Sequence, residues 1–459
     1  MKTTKLCPVQ KNEKYVVTIE DLTYEGFGVA KVEGYPIFIE NALPGEEVET
    51  LVLKVGKQFA FGKVLQFLEK SEHRVDDENM QWIRTGIAPL HHLAYPEQLK
   101  FKQSQVENVF TRIAKMPEVS VLPTIGMEEP RAYRNKAQIP VRSLEGKLET
   151  GFFRKNSHDL VPLEDYYIQD KEIDRAITVV REIMRKFQVK AYNEQENTGN
   201  LRHIIVRRGH YTHQMMIVLV TRTPKLFQYE KMVKEIVASL PEVTSIIQNI
   251  HPERTNVILG KEEKVLYGEP YITDTLFGKV YHISAQSFYQ VNTSQTEKLY
   301  QTAIEFAKLT PEDVVIDAYC GIGTIGLSLA EKVKQVYGVE MAKSAIRDAK
   351  LNAMANEIEN ISFETGKAEY VMKKWQEEAI SVDVVFVDPP RKGLDPHFIE
   401  ATVEMKPKKL IYISCNPATL ARDAKILAEK GYKLEKVQPV DMFPQTAHVE
   451  SVTLFTRKK

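Results

Sequence analysis

The chain has 459 residues, 43% of them hydrophobic, enough for two or three domains with buried cores. Lys+Arg and Asp+Glu both total 62, so the formal net charge is zero; this excludes a globally basic nucleic-acid binder and confines any such surface to local patches. Three scattered cysteines (Cys7, Cys320 and Cys415) exclude a disulfide framework, no apolar run approaches a membrane span, and MKTTKLCPVQKNEKY lacks the apolar centre of a secretory signal, so a cytoplasmic protein is expected.

Residues 1–70 read as short strands, YVVTIEDL, GVAKV, YPIFI, EEVETLVLKV and FAFGKVLQFL, punctuated by Gly26, Gly28, Gly34, Pro44, Gly45 and Gly56. This pattern predicts a small β-barrel. Lysines alternate with aromatics here, which suits a nucleic-acid-binding barrel and equally an ordinary barrel with solvated lysines. Residues 71–280 form a second region. It starts with an irregular stretch over 71–95 and a helix over 96–115 with Val106, Val109, Phe110 and Ile113 on one face. Mixed α+β patterning follows, with strand-like HIIVRR and QMMIVLVTR. Basic residues cluster with aromatics in RAYRNKAQ, GFFRKNSH and LRHIIVRRGHYTH. Such clusters can hold phosphates and stack bases, although a solvated sheet face would read the same.

Residues 281–459 change character. VVIDAYC, QVYGVE, DVVFVD and LIYISC are short apolar runs that end in polar residues, with helical patterns between them. The alternation predicts an α/β fold with an open parallel sheet, whose ligands bind at the carboxyl ends of the strands. The loop Asp317-Ala-Tyr-Cys-Gly-Ile-Gly-Thr-Ile-Gly326 fits GxGxxG through Gly321, Gly323 and Gly326. Glu340 closes the next strand at roughly the 20-residue ribose-binding spacing. A dinucleotide and S-adenosylmethionine both fit this pattern; Asp317, which would repel a pyrophosphate, favours the latter.

Asp388-Pro389-Pro390-Arg391 closes DVVFVD, and the rigid turn can hold Asp388 against a cofactor or a target base. Cys415 follows LIYIS and precedes a helix, where positive potential should lower its pKa and favour a nucleophile over inert packing. Glu450, in QTAHVESVTLF, reads alone as one exposed glutamate among many. In combination the three elements suit one reaction. Uracil C5 is a poor nucleophile until a thiolate adds to C6; C5 then takes a methyl group, and a base must remove the C5 proton so that the thiolate can leave. Cys415, Glu450 and the 317–340 loop supply nucleophile, base and methyl-donor site.

At these residues the sequence resembles the RNA uracil-C5 methyltransferase family, through DAYCGIGTIGLSLA, FVDPPRKGLD, YISCNPATLARD, FPQTAHVESV and SAQSFYQVN. The resemblance implies a carboxyl-terminal Rossmann-like S-adenosylmethionine-dependent methyltransferase domain over 281–459. It also implies a mixed α+β central RNA-binding domain over 71–280, whose helix 96–115 packs on the catalytic domain. It assigns Gln290, Tyr319, Glu340 and Asp388 to the cofactor, Asp388 alternatively to the base, Cys415 as nucleophile and Glu450 as general base. Residues 1–70 resemble a TRAM domain, an OB-like RNA-binding barrel. That implies the branch acting on 23S ribosomal RNA rather than the transfer-RNA branch, which usually lacks the domain. A monomer is expected.

One departure stands out. Many ribosomal members hold an iron–sulfur cluster through four cysteines, but here Thr85-Gly-Ile-Ala88 replaces Cys-Gly-Gly-Cys and Tyr166 takes a third ligand position. Three scattered cysteines cannot assemble four thiolates, so neither a cluster nor any other metal is expected. Three rival readings fit less. A cytosine-C5 enzyme would place a second cysteine near Asp388, a nicotinamide-dependent oxidoreductase leaves Cys415 without a role, and an RNA-binding adaptor would not need the catalytic groups.

Overall fold

The computed structural model describes residues 7–76 and 79–458; Met1–Leu6, part of the segment read for a secretory signal, lie outside it. The strands β1 (Lys14–Thr18), β2 (Asp21–Leu22), β3 (Gly28–Val32), β4 (Tyr35–Glu40), β5 (Glu47–Val55) and β6 (Ala60–Glu69) form a six-stranded sheet in the order β1-β5-β6-β4-β3-β2. Alternation sends Ile37, Ile39, Val48, Val52 and Ala60 inward, where they meet Val17, Ile19 and Ala30 in one core. The sheet coils around that core as a small barrel.

The linker holds a short helix, α1 (Gln81–Thr85), within the stretch expected to be irregular. Helix α2 (Tyr95–Val109) continues into a π-turn over Phe110–Ala114. The wider turn shifts the helical phase. Val106, Phe110 and Ala114 are buried against the catalytic sheet, whereas Ile113, expected on that face, is 41% exposed.

The middle of the chain forms a seven-stranded sheet, ordered β13-β12-β11-β10-β7-β8-β9. Its strands are β7 (Lys136–Leu144), β8 (Lys147–Phe153), β9 (Leu160–Pro162), β10 (Leu201–Arg208), β11 (Met215–Thr221), β12 (Val243–Ile250) and β13 (Glu262–Gly268). Helices α3 (Lys171–Lys186) and α4 (Tyr229–Ser239) cover one face through Ile173, Ile177, Val180, Met232 and Ile236. The other face packs with the hairpin β14 (Tyr271–Leu276)–β15 (Lys279–Ser284) into the core of the last region. The junction expected at 280/281 therefore falls inside β15, part of a hairpin that stays whole.

After α5 (Thr293–Ala307), the chain alternates β16 (Val314–Ala318), α6 (Thr324–Leu329), β17 (Gln335–Glu340), α7 (Lys343–Ala355), β18 (Ile361–Thr365), α8 (Ala368–Glu377), β19 (Val384–Val387), α9 (Pro396–Met405), β20 (Lys409–Ser414), α10 (Pro417–Glu429), β21 (Tyr432–Val440) and β22 (Glu450–Arg457). The sheet order is β18-β17-β16-β19-β20-β22-β21, parallel except for β22, which runs against both β20 and β21. Both faces are covered, as continuous apolar strands require. Val384 and Phe386 enter one cluster with α5 and α6, and the alternate residues Val385 and Val387 enter the other with α8, α9 and α10. The order reverses between β16 and β19, the switch point where such sheets open a ligand crevice. Among the described residues, no helix is long and apolar enough to cross a membrane.

Candidate active site

A cavity of about 1140 Å³ opens over the carboxyl ends of these strands. Gln290, Tyr319, Glu340, Asp388, Cys415 and Glu450 all line it. The pairing explains the convergence. Ala318 lies opposite both Val339 and Val387, so Tyr319, Glu340 and Asp388, each the next residue along, emerge side by side. On the antiparallel pair, Ser414 faces Ser451 at the end of β20; Cys415 is the next residue beyond it and Glu450 the residue before Ser451, close enough for the Glu450 charge to act on the thiol.

The loop after β16 is built around Asp317, which is fully buried and accepts the Gly326 N–H at 2.7 Å. A side chain on Gly326 would collide with that carboxylate at 2.9 Å and with Ile361 at 3.0 Å, so glycine lets α6 close onto the strand. Burial, reinforced by the nearby Asp388 and Glu340 charges, pushes the Asp317 carboxyl up to about 7 against the Gly326 hydrogen bond. Gly321 has φ +54° and open space where a Cβ would stand, on the cavity wall. Its neighbour Tyr319 also takes a left-handed φ of 66°, a strained backbone of the kind that collects at binding sites. Glu340 anchors one carboxylate oxygen on the Ala342 N–H at 2.9 Å. An open glycine cradle beside a carboxylate that closes the next strand fits the methionine and ribose parts of S-adenosylmethionine.

The thiol departs from the sequence expectation. Asn416, not Cys415, caps α10, and its side chain accepts the Ala418 N–H at 3.1 Å. One free amide of the helix end is therefore already used. Burial, then the Glu450 and Asp388 charges, push the Cys415 thiol up to about 11, and Arg391 offsets only part of this. The anticipated lowering is thus reversed, because burial, reinforced by carboxylates brought in from distant strands, outweighs the helix potential. Asp388 rises to about 7 through burial alone. Glu450 is likewise not exposed: it is 4% accessible, and burial, with Asp388 beside it, holds its carboxyl well above the usual range. Cys415 and Glu450 thus both meet the Asp388 carboxylate as a like charge that opposes their ionisation.

The opposite wall comes from the central sheet. Arg134, just before β7, and Lys136 and Gln138, at its start, face the cavity, while Ala137 and Ile139 enter the core behind. Burial, with the charges of Arg207 and Arg134, brings the Lys136 ammonium down to about 7, and burial also lowers Arg134. Phe288 and His448 line the same cavity. RAYRNKAQ reads locally as a basic and aromatic cluster able to hold phosphates and stack bases; nothing local says that its alternate residues meet a site formed more than a hundred residues later.

Ala88 and Tyr166, two positions where the resemblance implied cluster ligands, are fully buried in a hydrophobic cluster with Trp82, Ile87 and Tyr133. Trp82 stacks on Tyr167 at 4.0 Å in the same cluster. Thr85 lies on the cavity wall. Among the described residues, no group of three or more His, Cys, Asp or Glu side chains is disposed to hold a metal.

Comparison with known proteins agrees with this geometry. The tRNA (Uracil-5-)-methyltransferase family matches residues 94–458, and the TRAM domain matches residues 8–65. A protein from Enterococcus faecalis described as an uncharacterized RNA methyltransferase is 58% identical over 98% of both chains. One of the same description from Streptococcus mutans is 56% identical over 98% of this chain and 100% of its own. Among solved structures, the Pyrococcus abyssi tRNA (uracil-54, C5)-methyltransferase in complex with S-adenosyl-L-homocysteine superposes with a TM-score of 0.78 at 26% identity, covering 96% of this chain and 99% of its own. The chain belongs to the tRNA (uracil-5-)-methyltransferase family and is an S-adenosylmethionine-dependent RNA methyltransferase with an amino-terminal TRAM domain.

Proposed function

We propose that the protein methylates C5 of uridine in 23S ribosomal RNA through a covalent bond between Cys415 and C6. The observation that carries the reaction is the meeting of Cys415, just past the end of β20, with Glu450, at the start of β22, in one cavity where the Glu450 charge acts on the thiol. Gln290, Tyr319, Glu340 and Asp388 hold S-adenosylmethionine, which when bound supplies an electrophilic methyl group. Cys415 loses its proton to Asp388, which leaves Glu450 ionised, and its sulfur adds to C6, making C5 nucleophilic. Once C5 carries the methyl group, the Glu450 carboxylate takes the C5 proton, and the electron pair returns to expel the thiolate and leave 5-methyluracil. The burial that raises the proton affinity of Glu450 suits a base that must take a proton from carbon. Cys415, Asp388 and Glu450 all act deprotonated and all bind protons more tightly than usual, so methyl transfer should speed up as pH rises through neutrality.

The ribosomal substrate rests on the TRAM domain. A transfer-RNA substrate is the second reading: the Pyrococcus abyssi tRNA enzyme aligns over too much of this chain to leave out the whole barrel. The barrel alone thus does not separate the branches. Radiolabelled methyl transfer to unmodified 23S ribosomal RNA and to unmodified transfer RNA, with nucleosides resolved by chromatography, tests both. Label in 5-methyluridine from ribosomal RNA alone is expected. Label from transfer RNA would select the second reading, and label in 5-methylcytidine would overturn the reaction.

A further inference from the structure

The TRAM barrel carries an aromatic surface that its own fold does not need. On β4, Ile37 and Ile39 fill the barrel core, which leaves Phe38 on the outer face. On β6, Ala60 and Gly62 point inward and Phe61 outward. The parallel pairing sets Phe38 directly against Phe61, with Val29 of β3 beyond Phe38 and Lys54 of β5 beyond Phe61. Phe59 and Phe27 complete the group. Ring centroids are 5.0 Å apart for Phe38–Phe59, 5.5 Å for Phe59–Phe61, 6.0 Å for Phe38–Phe61 and 6.1 Å for Phe27–Phe61. Phe59 is 38% exposed, and the other three rings are half-buried. Contiguous rings on an outer sheet face cost solubility unless something uses them.

Two further features say what that is. Lys54, Lys57 and Lys63 are exposed around the rings, and among the described residues none of them has an acidic partner. A chain of zero net charge thus concentrates uncompensated lysine where it also concentrates exposed aromatics. The face also runs on towards the active site. Lys155, from the loop after β8, sets its ammonium 5.7 Å from the Phe27 ring centroid and 3.2 Å from Glu40. Its stem lies 3.0 Å from where a Gly86 Cβ would stand, and Gly86 lines the catalytic cavity.

We infer that Phe27, Phe38, Phe59 and Phe61 form a stacking platform for unpaired bases of a single-stranded RNA segment that leads into the catalytic cavity. The rings take the base faces, the lysines follow the phosphates, and Lys155 bridges platform and cavity mouth. Flat rings beside flexible cations bind single strands with little sequence preference and discriminate against duplexes, whose bases are already stacked. This rests on the RNA substrate proposed above and adds which part of it the barrel holds: unpaired residues beside the target rather than a helix.

The test uses full-length enzyme and a fluorescein-labelled single-stranded oligouridylate dodecamer, against the same strand annealed to its complement, with affinity read by anisotropy. The wild type should prefer the single strand. Phe38→Ala/Phe61→Ala should weaken single-strand binding by about tenfold or more, while Phe38→Tyr/Phe61→Tyr should retain it. Lys54→Gln/Lys57→Gln/Lys63→Gln should flatten the salt dependence for the single strand. S-adenosylmethionine binding by calorimetry, unchanged in each variant, shows an intact fold; a variant that loses it is replaced by Phe38→Leu/Phe61→Leu, for which the same loss of RNA affinity is expected. Unchanged single-strand affinity in the folded alanine or leucine variant would overturn the platform. A concentration-dependent dimer of the wild type that the same substitutions dissolve, with RNA affinity unaffected, would assign the face to a second copy instead. Because the readout is binding, platform and reaction fail separately: absent 5-methyluridine with ring-dependent RNA binding would sink only the chemistry.

Discussion

Asp441 and Glu450 flank the turn into β22, and both carboxylates are buried, Asp441 completely and Glu450 to within 4%. Their surroundings differ. Asp441 receives the Lys102 ammonium on one oxygen and the Tyr95 hydroxyl at 2.9 Å on the other, both from α2. Glu450 has no hydrogen-bond donor among the described residues, meets Asp388 as a like charge, and reaches the cavity. A buried carboxylate with a donor on each oxygen fixes the position of α2 on the sheet. One left unpartnered beside a thiol keeps its free energy available for a proton transfer. Asp423 belongs with the first kind: it accepts the Tyr412 hydroxyl at 2.9 Å and the Leu394 N–H at 2.8 Å behind α10. Hydrogen-bond satisfaction, not burial, thus distinguishes Asp441 and Asp423 from Glu450.

The contrast can be broken at several points. Cys415→Ala should lower methyl transfer by about 10⁴-fold or more while calorimetry finds S-adenosylmethionine binding unchanged; substantial residual turnover would remove the thiol from the reaction. Glu450→Gln should lower turnover by about 10²–10⁴-fold, yet leave urea unfolding at or above the wild-type midpoint, since it deletes an unsatisfied buried acid. A clear loss of stability would move Glu450 into the scaffold group. Lys102→Met should do the reverse and cost about 3–5 kcal/mol by stranding Asp441, with Lys102→Met/Asp441→Leu recovering most of it. The smallest effect concerns the thiol itself. Alkylation of Cys415 by iodoacetamide should rise with pH towards a midpoint of about 11, and Glu450→Gln, by removing a negative neighbour that opposes thiolate, should move that midpoint down. An upward shift would contradict the assigned cause.

The division also marks how far the residues alone could be read. Apolar runs such as DVVFVD and LIYISC declare parallel strands covered on both faces, and their polar last residues are the cavity rim, so Asp388 and Cys415 were legible locally. Glu450 was legible only through resemblance, because its burial depends on β22 inserting between β20 and β21. That insertion also helps raise the Cys415 thiol: the sequence displays a helix start, while the burial and the carboxylates that override it come from other strands. Arg134 and Lys136 face the site across a boundary between sheets, which no window of sequence spans. Ile113 turned outward because a π-turn broke a period that the sequence pattern had assumed constant.

The most direct test of the covalent route incubates the enzyme and S-adenosylmethionine with RNA carrying 5-fluorouridine, whose C5 fluorine cannot be removed as a proton, and maps the trapped protein–RNA adduct by peptide mass spectrometry. The account predicts a methylated nucleotide attached to the peptide that contains Cys415, and no adduct with Cys415→Ala. An adduct on another residue, or none while the unfluorinated RNA is converted to 5-methyluridine, would contradict it.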